Sequence, residues 1–184
     1  MALTNIKKEL QKLEKSKLID LVADLYKKNK SVKEFFDFYV NPKENDLLIK
    51  YQDKIFLAFY PKNGYECKLK EARKAISDFK NLGVLQEYLA EIMLFYVETG
   101  VKYTNDYGDI NESFYESIEK MFVKTLTTMR NGELLEQFEM RSSLVARNSE
   151  DIGWGFHDSI SDIFYEFYEK EYEKLVGSKE NPKK

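Results

Sequence analysis

Sulfur and imidazole are almost missing from this chain, which has one cysteine, Cys67, and one histidine, His157, in 184 residues. A lone cysteine excludes a disulfide framework, a CxxC redox pair and every zinc site that needs two or more thiolates. With a lone histidine, any metal site has to rest almost wholly on carboxylates. Long apolar runs are missing too. The opening segment MALTNIKKELQKLEKSKL alternates charge with leucine, so it reads as neither a signal peptide nor a membrane span. No GxxxxGK[ST] occurs, no GxGxxG follows a strand, and Gly153 with Gly155 makes only half of that pattern. GxSxG is also absent, which leaves a nucleophile-elbow hydrolase without support. The expectation is a soluble cytoplasmic protein without a membrane segment.

Only three prolines and eight glycines punctuate the chain. They are read as falling between apolar-periodic stretches, glycine as a helix C-cap and proline as a stop. Ile6, Leu10 and Leu13 give a first amphipathic helix, and Ser16 is placed to cap a second bearing Leu18, Val22 and Leu25. Ser31 with Glu34 reads as a capping box for a short third helix ending at Asn41-Pro42. Phe35, Phe36, Phe38 and Tyr39 leave that helix aromatic nearly all round, so it is expected to be buried on several sides. The stretch from Leu47 to Tyr60 reads as helix rather than strand, because no breaker follows Asp46. Stripes at Leu69–Phe79, at Leu85–Tyr96 closed by Gly100, and at Phe114–Met129 follow, then two more carrying Leu134–Val145 and Phe156–Leu175.

The expected fold is all-α: about nine helices packed as antiparallel hairpins, with a solenoid-like stack as a variant lacking a repeated sequence period. A chain of this length buries about 70% of its unfolded surface and needs no staple. Residues 1–176 are read as one helical domain, with 1–41 as a candidate N-terminal subdomain. The polar tail 177–184 is read as disordered.

Net charge is -3, but it is divided unevenly. Residues 1–92 carry 18 basic and 14 acidic side chains, a net +4, and residues 93–184 carry 11 against 18, a net -7. Lysines 7, 8, 12, 15, 17, 27, 28, 30 and 33 make the first three helices a candidate for phosphate or an acidic partner. The opposing reading is a solvated face balanced by Glu9, Glu14, Asp20, Asp24 and Glu34.

The stretches LIDLVADLYKKNKSVKEFFDFYVNP (18–42), EARKAISDFK (71–80), VETGVKYTNDYGDINESFYESIEKMF (97–122) and GWGFHD (153–158) carry a resemblance across nearly the whole chain. In that order they resemble a bacterial family catalogued as domain of unknown function 6155. The resemblance implies a bacterial cytoplasmic protein of one domain and carries over no activity. The first two helices are also similar to a helix-extended-helix DNA-binding motif of the SAP type, but lack its glycine and basic second helix.

Two segments are candidates for chemistry. Lys102 to Ser113 reads as the most polar loop, where Asp106, Asp109, Asn111 and Glu112 offer oxygen ligands to a divalent cation. Aligning Gly108 with the EF-hand glycine puts Tyr103, Tyr107 and Phe114 at ligand positions, which excludes that motif. Asp109 followed by Glu112 also fits a capping box. The second segment, Gly153 to Asp158, holds the lone Trp and His, and Asp158, Asp162 and Glu166 follow on one helical ridge facing Lys170. His157 is the candidate general base. Convergence of Glu98, Asp109, Glu112, His157 and Asp158 would make a carboxylate-dominated metal site. No cofactor is expected beyond such a cation.

Aromatic residues are the other distinctive feature, with 13 Phe and 13 Tyr. Phe164, Tyr165, Phe167, Tyr168 and Tyr172 crowd the last helix more widely than one neighbour requires, which makes them a candidate surface for a protein partner or self-association. The leading expectation is an interaction or accessory module working through this C-terminal half. A metal-dependent enzyme is second and nucleic-acid association third.

Overall fold

The computed structural model describes residues 2–64 and 66–179, with side chains through residue 170. Among these residues it contains nine helices and no strand, so the fold is all-α. None of these helices is long and apolar enough to cross a membrane. The chain divides into two compact units, residues 1–43 and 44–184.

The first unit contains α1 (Leu3–Leu10), α2 (Lys15–Lys28) and α3 (Lys30–Val40). A single residue, Asn29, separates α2 from α3, and the two helices lie against one another. Asn29 does the capping that was expected of Ser31: its side chain accepts from Ser31 N and Val32 N. Its own N–H donates to Leu25 O, closing α2. Glu14 rather than Ser16 stands at the N-cap of α2, with no side-chain cap bond.

The second unit holds α4 (Glu44–Phe59), α5 (Leu69–Lys80), α6 (Gln86–Tyr107), α7 (Glu112–Asn131), α8 (Leu135–Arg147) and α9 (Phe156–Lys179). Helix α6 packs against α4, α5, α7 and α8, which explains why eleven of its residues are buried around its circumference. Helix α4 confirms the helical reading of the 47–60 stretch, with Tyr51, Ile55, Ala58 and Phe59 on its buried side.

Gly100 does not end a helix. It lies inside α6, where a Cβ would clash with Ile118 Cδ1 of α7. Glycine is required there for close approach of two helices, so α6 continues to Tyr107 and stops at Gly108, whose φ is +84°. Likewise α9 continues through Gly177 to Lys179. Residues 180–184 of the expected disordered tail lie outside the described residues.

Candidate functional site

The continuation of α6 shortens the expected polar loop 102–113 to Gly108–Asn111. Asn111, not Asp109, caps α7 by accepting from Phe114 N. Asp109 faces the turn before α9. Its Oδ1 accepts from the Tyr115 hydroxyl at 3.1 Å and from Gly153 N at 3.4 Å. A Cβ on Gly153 would lie 2.9 Å from Asp109 Oδ2, so the glycine makes room for this carboxylate. The two candidate segments do meet, and what joins them is a structural tie with Tyr115 packed on Phe156 beneath it.

The remaining members of the expected site are engaged elsewhere. Glu98 holds the α8 residue Arg141, which donates from Nε and Nη2 to its two oxygens at 2.8 and 2.7 Å. Arg141 Nη1 donates to Glu91 as well, so one guanidinium joins two carboxylates of α6. The Glu98 hydrogen bonds, followed by those of Glu91, raise the arginine's pKa against its partial burial. Glu112 is exposed in the first turn of α7, and Asp158 is exposed in that of α9. Among the described residues no three His, Cys, Asp or Glu side chains gather in a way that could hold a metal ion. The separation has a physical reason: Glu98 serves the α6–α8 contact while Asp109 serves the turn.

His157 Nδ1 lies 3.0 Å from Ser149 Oγ. Ser149 is fully buried, and its hydroxyl donates to Ala146 O at 2.7 Å. With that proton directed at the carbonyl, the network assigns the shared proton to His157 Nδ1. The imidazole therefore donates to the serine and joins the end of α8 to the start of α9. A base activating a serine would have to accept instead. Burial pushes the Cys67 thiol up to about 11, so it is protonated at neutral pH and is no nucleophile.

The crowded aromatics of α9 are explained by two neighbours rather than one, since α9 packs on both α7 and α8. Phe167 is in the core at 6% exposure, beneath the Arg130 guanidinium. Tyr168 donates to Leu135 O, its hydroxyl oxygen is hydrogen-bonded to Ser142 Oγ, and Phe164 packs on its ring. Tyr165 is exposed, and the side chain of Tyr172 lies outside the described residues. Of the acidic ridge, Glu166 is paired with Lys170 at 2.8 Å.

A continuous apolar recess lies instead on the first unit. No described side chain of residues 2–43 is buried, including those of aromatic α3, where burial on several sides was expected. Between α2 and α3 runs a groove of about 880 Å³ whose floor is Leu18, Ile19, Val22, Ala23, Phe36 and Val40. A polar clasp closes the hairpin beside it. The Tyr26 hydroxyl donates to Asp37 at 2.6 Å, and Lys33 donates to both Asp37 and Tyr26. The Tyr26 bond first, then Lys33, holds the Asp37 carboxyl below the usual carboxylate range. The stripe of Leu18 and Val22 and the aromatic helix were the sequence signals of this groove. What sequence could not show was that none of these side chains is buried.

These features define an all-helical protein with a packed six-helix unit and a small helical unit bearing an open apolar groove. A family model described as Family of unknown function (DUF6155) matches residues 1–168, and the chain belongs to that family. No curated protein and no solved structure matches it.

Proposed function

We propose that the protein is an interaction module that receives a protein partner in the α2–α3 groove. The observation that supports this reading is the contrast between what α2 and α3 need and what they have. Ile19 is 57% exposed, Val22 39% and Val40 78%, all on the groove. Burying such a side chain fully contributes about 1.5–3 kcal/mol, so a partner covering several of them gains enough for specific binding. Contiguous apolar recesses on a protein surface mark sites of this kind. The reading moves the interaction surface from the C-terminal aromatics, of which Phe164, Phe167 and Tyr168 are engaged within the second unit, to the N-terminal unit.

The test is a photo-crosslinking residue at Ile19, with a control at exposed Glu112, followed by reconstitution of the purified pair. The expected result is a defined adduct from position 19 that is lost in Val22→Asp, and a partner that binds the purified chain with one copy per chain. Adducts only from position 112, or a crosslink from position 19 into residues 44–184 of the same chain, would overturn the reading.

A further inference from the structure

The charges around the groove narrow what it accepts. Helices α2 and α3 carry lysines 15, 17, 27, 28, 30 and 33. Lys28 is paired with Asp24 and Lys33 with Asp37. Lys15, Lys17, Lys27 and Lys30 make no ion pair among the described residues. Asp37 is the carboxylate that lines the groove, and Lys33 and Tyr26 already occupy it. Lys15, which also lines the groove, has no such counterion. The result is an apolar floor with an unpaired lysine, Lys15, at its edge, on a unit with ten lysines against six carboxylates, a net +4.

Resting on the reading above, we infer that the occupant is an acidic amphipathic helix of another protein, laid with its apolar face on the floor and its carboxylates toward Lys15 and toward Lys30, which stands two turns before Asp37 on the same side of α3. Two helical walls joined at Asn29, with an apolar floor between them, fit a helix bearing anchors at i, i+3 or i+4 and i+7. An anionic bilayer is the competing occupant of such a basic unit and forms one arm of the test below. Nucleic acid calls for aromatic stacking platforms and phosphate contacts, and most of the floor is aliphatic. A second copy meeting groove to groove brings +4 against +4. Ile160 and Phe167 of α9 are engaged in the core of the second unit.

The experiment uses the purified full chain and two synthetic amphipathic peptides of about 16 residues, long enough to span the groove. Both carry leucine anchors; one has glutamate flanks and the other lysine flanks. Fluorescence anisotropy is expected to show the glutamate peptide binding at least about tenfold more tightly than the lysine peptide. That preference should shrink as salt rises from about 50 mM to about 500 mM, where the Debye length becomes short. Val22→Asp should remove binding, and Lys15→Glu with Lys30→Glu should reverse the preference. All three positions are exposed, and unchanged circular dichroism verifies folding.

Equal affinity for both peptides, or preference for the lysine peptide, overturns the inference and leaves the groove reading standing. The same holds if neither peptide binds while the Ile19 crosslink yields a reconstituted partner. Binding to anionic vesicles or duplex DNA in place of peptide, lost in Val22→Asp, overturns both readings. So does concentration-dependent self-association lost in that variant.

Discussion

Two phenylalanine-rich regions of this chain have opposite fates. In the second unit Phe59, Phe79 and Phe122 are completely buried, and Phe59 meets the rings of Tyr96, Tyr103 and Phe114. In the first unit Phe35 is 39% exposed and Tyr39 72%, although α3 is the more aromatic helix. The difference lies in neighbours. Helix α6 has four packing partners, whereas α2 and α3 have chiefly each other. The second unit is therefore organised by packing, and the first by caps and a polar clasp around the α2–α3 contact.

The largest test of this contrast is a matched truncation. Phe59→Ala should cost about 3–5 kcal/mol in urea unfolding, and Phe35→Ala less than about 1 kcal/mol. Equal costs would mean that the first unit has a core after all. Next is Arg141→Met, which removes the shared partner of Glu91 and Glu98, two turns apart on one face of α6. Discounted for the 22–36% exposure of these side chains, the expected loss is about 1–2 kcal/mol. Changing both glutamates to glutamine should recover part of it, and no recovery would discount like-charge repulsion.

Gly100→Ala should cost about 1 kcal/mol net, because overpacking against Ile118 exceeds the gain in helix propensity. Ile118→Val removes the nearest atom, so the double variant should be less destabilised than the two single losses added. Simple additivity would break the close-approach argument.

The smallest effect belongs to the clasp. The folded pKa of Asp37 is depressed, so its contribution is complete above about pH 4, near the ordinary carboxylate value, and is lost as pH falls through the folded value. Lys33 is raised by the same contacts, so its contribution is present below its ordinary 10.5 and is lost as pH rises through the folded value. The protection factors of amides in α2 and α3, corrected for the intrinsic pH dependence of exchange, should fall at the acid end in the wild type. In Asp37→Asn that added pH dependence should be absent; an identical acid profile would remove the clasp from the account.

Helix-forming stretches were legible because apolar spacing and breakers are local properties. The α7 stripe from Phe114 to Met129 is buried as its periodicity demanded. Gly100 was misleading for a nonlocal reason: a glycine at a C-cap and a glycine under a crossing helix look alike until the second helix is in place. The candidate metal site failed similarly. Glu98 looked available because its partner, Arg141, is 43 residues away. In the 153–158 segment Trp154 is 64% exposed at φ +61°. The close approach is made by the neighbouring Gly153.

Asn29 is at once the last cap of α2 and the first of α3. One side chain and one N–H thus fix both ends of the joint, and α3 cannot slide along α2 without giving up bonds to Leu25, Ser31 and Val32 together. The groove's width is set before anything arrives. A helix entering it loses its own freedom but need not order the receiving walls, which spares the association part of its entropic penalty.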